Sequence, residues 1–319
     1  MTQPAQTSPI RPTAMQRVVA YVLLLITMVI WASAFAGLRR VLQEIDALTL
    51  TTARMVFAGG AMALFGLFMK IKLPARRDLP AVIAAGLTGH AFYHLALNFG
   101  LATITAGLAS FIIATIPIWT ALFARKFLGE RMSRMGMLGL LVSFSGVCML
   151  SVDLSGATFS TGSILVLAAS LCAAVNMTLQ KRLLERYSAL DLSIHVTAFG
   201  TLPFLFYIPF CVDTLTGMST SAWWITLYLG LGPICLGGVL SMFALRVLST
   251  SRSAQMMLLV PPIASLIAWL WLGEIPKSEV FWGGGLILLG VFLGGINRWV
   301  ARSGPVREPS APTARALDC

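Results

Sequence analysis

Charge is what this chain has least of. Only 11% of its 319 residues are Asp, Glu, Lys or Arg, with 12 acidic residues and three histidines in all. A soluble domain carries roughly a quarter charged residues, so a water-soluble globular fold is excluded. Carboxylates are missing from the interiors of the long apolar stretches: Asp191 and Glu279 stand at the ends of two of them, and Asp153 and Asp213 fall between stretches. A proton-coupled carrier commonly keeps a buried carboxylate, so a chain of that class with this sequence would have to couple through His90, His94 or His195 or through the charge of a solute. Long polar loops are absent too, which leaves no room between the apolar runs for a sensor or assembly domain. The five cysteines are widely spaced and form neither a disulfide nor a metal pattern. No nucleophile, acid–base pair or ligand set converges in the apolar stretches, so the sequence points away from an enzyme, a resident metal or a cofactor.

What the chain has in quantity is apolar sequence, with 57% hydrophobic residues and a mean hydropathy of +0.85. Crossing a hydrocarbon core of about 30 Å takes about 20 residues of helix. Ten such stretches can be laid out, at 17–38, 49–69, 80–100, 104–124, 134–152, 161–181, 191–211, 222–245, 252–272 and 278–298. The expected fold is an all-α polytopic membrane protein. Its first span has a rival reading as a secretory leader, because Arg17 precedes an apolar run and Ala32-Ser33-Ala34 resembles a cleavage site.

The repeat argues for keeping that span. Shifted by 144 residues, Leu128-Gly129-Glu130 lands on Leu272-Gly273-Glu274, Pro117 on Pro261, Gly139 on Gly283 and Gly146 on Gly290. Shifted by 142, Arg39-Arg40-Val41-Leu42 lands on Lys181-Arg182-Leu183-Leu184. The chain therefore divides into a tail at 1–16, a first five-helix unit at 17–152, a second at 161–298 and a tail at 299–319. Both tails are rich in Pro, Ala, Ser, Thr and Arg and read as disordered.

Basic residues give the orientation. With the N-terminus inside, Arg39, Arg40 and Lys277 fall outside and Arg54 within a span, while the rest of the 23 Lys and Arg lie on the inner side or in the tails. That bias places both termini in the cytoplasm of a bacterial cell and the chain in its inner membrane. The formal charge of +11 is accounted for by this topology and by anionic lipid, with no need for nucleic acid. Five spans per unit is odd, so the two units are inverted, which is the architecture of alternating access.

Several motifs resemble a known family. Ala106-Gly107-Leu108-Ala109-Ser110, then Ile116-Pro117-Ile118-Trp119, then Phe127-Leu128-Gly129-Glu130-Arg131 and a Gly-rich helix ending Ser145-Gly146-Val147 resemble the EamA family of the drug/metabolite transporter superfamily. Val260-Pro261-Pro262-Ile263-Ala264 and Trp271-Leu272-Gly273-Glu274 repeat the pattern. Trp31-Ala32-Ser33 and Ala53-Arg54-Met55-Val56-Phe57 are similar to the family's span-1 and span-2 patterns, with Ala32 in place of the usual glycine. The resemblance implies a transporter whose partners are a small solute and the bilayer, acting as monomer or homodimer. It leaves the solute open.

Polar residues inside spans are costly and tend to face a cavity. His90, His94 and Asn98 recur at steps of four and read as one helical face lining a solute path, or else as helix–helix hydrogen bonding. Arg54 either snorkels to the interface or faces the cavity, where a fixed cation suits a carboxylate or phosphate. Asn176, Gln180 and Gln255 are further lining candidates, and Trp31 offers a stacking surface. Pro117 and Pro261, near the middle of their spans, read as packing kinks or shared hinges. Glu130 and Glu274 read as structural, pairing with cations or capping a helix. The expectation is an exporter of a small polar, amino-acid-like or otherwise carboxylate-bearing metabolite, with uptake of a vitamin or nucleoside-like compound as the alternative.

Overall fold

The computed structural model describes residues 13–71, 73–128, 134–153, 158–248, 256–275 and 278–303. Apart from one antiparallel pair of two-residue strands, Val152–Asp153 with Thr158–Phe159, its regular elements are helical. The helices are α1 (Ala14–Val41), α2 (Ala47–Phe68), α3 (Leu79–Gly86), α4 (Tyr93–Leu101), α5 (Ala106–Ile113), α6 (Ile116–Leu128) and α7 (Arg134–Ser151). They are followed by α8 (Thr161–Leu183), α9 (Ala189–Leu205), α10 (Ile208–Thr216), α11 (Thr220–Leu229), α12 (Gly237–Val247), α13 (Val260–Leu272) and α14 (Ser278–Ser303). Two π-helical segments, Leu87–Phe92 and Gly230–Leu236, join α3 to α4 and α11 to α12.

Four helical stretches among the described residues are long and apolar enough to cross a membrane: Ala14–Val41, Ala47–Phe68, Thr161–Leu183 and Thr220–Ala244. The pair α9 and α10 makes a fifth if counted as one span, bent by 84°. Ten spans were expected, and several of the stretches that would form them are interrupted. Expected span 3 is α3 and α4 around a π segment, and expected span 4 is α5 and α6 with a break at 114–115. Proline accounts for two of the interruptions. Pro233 lacks the amide hydrogen that an α ladder needs, and a π register accommodates it. Pro203 likewise removes a donor just before α9 ends. The surface is apolar where a soluble protein's is polar: Val18, Val22, Leu25 and Val29 form an exposed stripe on α1, and Phe206, Phe210, Leu270 and Trp282 are largely exposed.

The internal repeat is visible residue by residue. α6 and α13 begin and end 144 positions apart, α4 and α12 begin 144 apart, and the two π segments end 144 apart. Packing follows the same rule. α1 lies against α12 and α13, as α8 lies against α4 and α6, while α2 packs on α9 and α7 on α14. Exchanging the halves maps each of these contacts onto another or onto itself.

Close crossings make this possible. A methyl group at Gly146 would lie 2.5 Å from the Gly283 carbonyl, and one at Gly290 would collide with the Gly139 carbonyl. These are the four glycines that the repeat brings into register, and Ser143 Oγ donates to the Ile287 carbonyl between them at 3.0 Å. Backbones meet this closely only where side chains are missing. Helix entry is repeated as well: Asp46 Oδ1 accepts from Leu48 N and Thr49 N at 2.9 Å to cap α2, and Ser188, its counterpart at an offset of 142, accepts from Asp191 N to cap α9. Replacing Gly146 or Gly290 with leucine should force α7 and α14 apart at a cost of about 1–3 kcal/mol. Thermal unfolding in detergent should show that loss, while Gly285→Ala, whose added methyl meets nothing within 4 Å, should melt with the parent.

Candidate substrate-binding site

A cavity of about 220 Å³ lies where the two units meet, with walls from α1, α2, α8, α9, both π-interrupted helices, the break before α6 and the 3₁₀ turn Met257–Leu259 that breaks the α-helical course before α13. Its apolar wall includes Leu24, Met28, Phe35, Ile113 and Val260. Its polar lining includes Arg54, His90, Tyr93, His94, Asn176 and Gln180.

Arg54 is the exceptional group. It does not snorkel; it is 1% exposed. Its Nη1 donates to Asn98 Oδ1 at 3.2 Å, Asn98 Nδ2 donates to Thr51 Oγ1 at 2.8 Å, and Thr51 Oγ1 donates to the Ala47 carbonyl at 2.6 Å. Thr51 stands one turn before Arg54 on α2, so one helix carries the cation and its support, and α4 supplies the link. A guanidinium has five N–H donors, and Arg54 Nε is buried without a partner. Among the described residues no carboxylate pairs with it.

His90 ends up in the first π segment and His94 one turn on in α4, with ring centroids 5.9 Å apart. Tyr93 meets His94 edge-on at 4.8 Å. Nδ1 of both histidines is buried without a partner. The third member of that stripe behaves differently. Asn98 is fully buried and stands behind Arg54, away from the cavity surface. Four residues turn a helix about 40° past a full revolution, which carries position 98 from the cavity toward α2.

Trp31 lines the cavity from α1 and donates its Nε1 hydrogen to the Pro233 carbonyl at 3.0 Å. That carbonyl belongs to the second π segment, so the indole joins one unit to the interrupted helix of the other. Asn176 and Gln180 line the cavity from α8. Asn176 packs over Gly89, where any side chain would displace it, and its Oδ1 is buried without a partner. His195 is buried but is not on the lining. Gln255 and Glu130 lie outside the described residues.

Pro117 and Pro261 are each the second residue of a helix, α6 and α13. They open helices at a position where no backbone donor is required and do not kink the middle of one. The preceding residues, Ile116 and Val260, line the cavity. Glu274 ties elements together at one end of the molecule. Its Oε1 accepts from Arg39 Nε at 3.0 Å and its Oε2 from Ala106 N, the first amide of α5, at 3.0 Å, while Arg39 Nη1 donates to the Leu101 and Ala102 carbonyls at 3.1 Å. At the start of α3, Asp78 accepts from Arg186 and from the Tyr187 hydroxyl.

Sequence reasoning missed Tyr93, Ser193, Thr197, Ser241 and Met242, all on the lining. Tyr93 was within reach, since it shares a helical face with His90 and His94. Ser193 and Met242 were not, because their place depends on which faces of α9 and α12 meet, shown by a contact of 3.2 Å between Ser193 Oγ and Met242 Sδ. Asn98→Leu should remove the one hydrogen bond described for the buried guanidinium and lower stability by about 1.5–3 kcal/mol, read as a fall in melting temperature. Asn98→Gln, if it reaches Arg54, should recover part of it.

Comparison with known proteins gives the family. The model of the EamA-like transporter family matches twice, over residues 18–152 and 160–295. A protein of Streptantibioticus cattleyicolor named "Probable terminal-alkyne amino-acid exporter" is 36% identical over 292 residues, covering 92% of this chain and 97% of the relative. The Bacillus subtilis uncharacterized transporter YdfC is 31% identical over 82% of this chain and 86% of its own length. A crystal structure with 17% sequence identity covers 92% of the chain and all of its own with a TM-score of 0.63, a likeness of fold alone. The chain belongs to the EamA-like transporter family, and it is a membrane transporter and not an enzyme.

Proposed function

We propose that the protein exports a small carboxylate-bearing, amino-acid-like solute across the bacterial inner membrane, with Arg54 as the carboxylate anchor. The observation that carries this reading is a buried guanidinium facing a cavity with donors to spare and no carboxylate partner among the described residues. An ion taken out of water costs several kcal/mol unless it is paired. A solute carboxylate repays that cost by accepting charge-assisted hydrogen bonds from the guanidinium. The name of the Streptantibioticus relative supports both the amino-acid class and the outward direction.

The transport cycle in this proposal is alternating access by two inverted five-span units. The exchange of packing contacts between halves supports it, as does the position of the interruptions. Non-helical backbone at membrane depth is tolerated where it is covered by protein or lines a cavity, and both π segments and the breaks before α6 and α13 border this one. In this reading the helices, counted with their interruptions, make ten spans, and the distribution of Lys and Arg supports a cytoplasmic location for both termini. In this reading Arg39 and Glu274 close the outer end, and Pro117 and Pro261 mark the joints about which each half rearranges.

Solute counterflow in proteoliposomes tests the anchor. Arg54→Gln should slow counterflow of carboxylate-bearing amino acids by about 10–100-fold, the equivalent of one lost charge-assisted bond of about 1.5–3 kcal/mol, while membrane insertion persists. Undiminished counterflow in that variant would overturn the anchor. His90→Ala and His94→Ala should each impair transport in the same assay without loss of inserted protein. A reporter fused to the C-terminus should be active only if it works in the cytoplasm.

A further inference from the structure

Seven buried side-chain polar atoms among the described residues lack a hydrogen-bond partner, and four of them belong to residues lining this cavity. Buried polar groups are ordinarily satisfied, so four at one place indicate what a ligand must bring. They are of two kinds. Arg54 Nε can only donate. Asn176 Oδ1 can only accept, and in a neutral imidazole one of the two ring nitrogens accepts, so His90 and His94 bring an acceptor each.

The acceptors sit together. His90 and His94 lie one turn apart, their rings tilted by 32° with centroids 5.9 Å from each other, and Asn176 packs onto Gly89, the residue before His90. Arg54 reaches into the same cavity from α2, beside Tyr93 and His94. We infer that His90, His94 and Asn176 form an ammonium subsite beside the Arg54 carboxylate anchor, so that the solutes carried are zwitterionic α-amino acids with apolar side chains.

An ammonium group has three N–H donors and three acceptors are available. A carboxylate alone would satisfy Arg54 and leave the acceptors buried and unmatched, while an amine alone would do the reverse and add a second cation near the first. A group carrying both charges on one carbon satisfies both sets and adds no net charge. Leu24, Met28, Phe35 and Ile113 line the same cavity and offer an aliphatic side chain apolar contact. This inference rests on the carboxylate reading above and extends it to the second charge.

Binding to the purified full-length transporter, measured by calorimetry with three probes, separates the two claims. The probes are L-leucine, 4-methylpentanoate, which lacks only its ammonium, and 3-methylbutylamine, which lacks only its carboxylate. L-Leucine should bind at least about tenfold more tightly than either analogue, the worth of one charge-assisted bond. Asn176→Leu and His94→Leu should collapse the ratio of leucine to 4-methylpentanoate affinity toward one, and Asn176→Asp, which keeps an acceptor, should preserve it. Arg54→Gln should weaken leucine and 4-methylpentanoate together and leave their ratio. Equal binding of leucine and 4-methylpentanoate by the parent protein would overturn the ammonium subsite and leave the carboxylate anchor standing. A parallel loss of both probes in Asn176→Leu and His94→Leu would assign those residues to structure and overturn the subsite too. Binding of neither probe by the parent protein would overturn the anchor, and the subsite with it.

Discussion

Gly230 presses the second π-interrupted helix onto the carbonyl of Arg54, where an added methyl group would lie 3.0 Å from that oxygen, and Gly86 presses the first onto the carbonyl of Val196, at 2.7 Å. Positions 54 and 196 are counterparts in the repeat, as are 86 and 230. The same backbone crossing is therefore built twice, and the cavity is what remains between the two crossings. Any larger side chain at either glycine separates the helices and moves the walls. The arginine that gives the cavity its charge sits at one of these crossings, so its place is set by backbone contact before any side-chain contact is counted.

Symmetry at the crossings contrasts with asymmetry at the lining. Arg54 has Val196 as its counterpart, His90 has Ile234, His94 has Gly238 and Trp31 has Ala173. The polar members of these four pairs all come from the first unit, and the second brings a different polar set to the lining, Asn176, Gln180, Ser193, Thr197 and Ser241. A device that opens alternately to two sides needs like packing in both units, because its two end states exchange their roles. Recognition needs the opposite, a single set of donors and acceptors for a single solute. Trp31 bridges the two demands, as a first-unit side chain bound to the Pro233 carbonyl of the second.

Much of this was legible in the chain as written. The glycines at 139, 146, 283 and 290 came into register by a shift of 144, and they are the ones that meet at the crossing of α7 and α14. Arg54, His90, His94, Asn176 and Gln180 stood out because polar groups in apolar runs are few and costly. What stayed hidden has a common cause. The first π segment, Leu87–Phe92, contains no proline, and hydropathy has no term for a change of helical register. Asn98 shows the same limit at one residue: its spacing matched the histidines, yet its amide is taken by Arg54 and Thr51.

The sequence by itself determined a membrane protein made of two related halves, because apolar length and internal repetition are properties of order along the chain. It also determined that one cation would stand in a span without a carboxylate in the same stretch. Only the tertiary structure decided which way that cation turns and what surrounds it. The side chain at position 54 had water, lipid and protein open to it, and the choice was made by α4, which brings Asn98 within 3.2 Å of the guanidinium. Pairwise contact between residues 44 positions apart is a matter of packing, and packing is settled only when the helices have met.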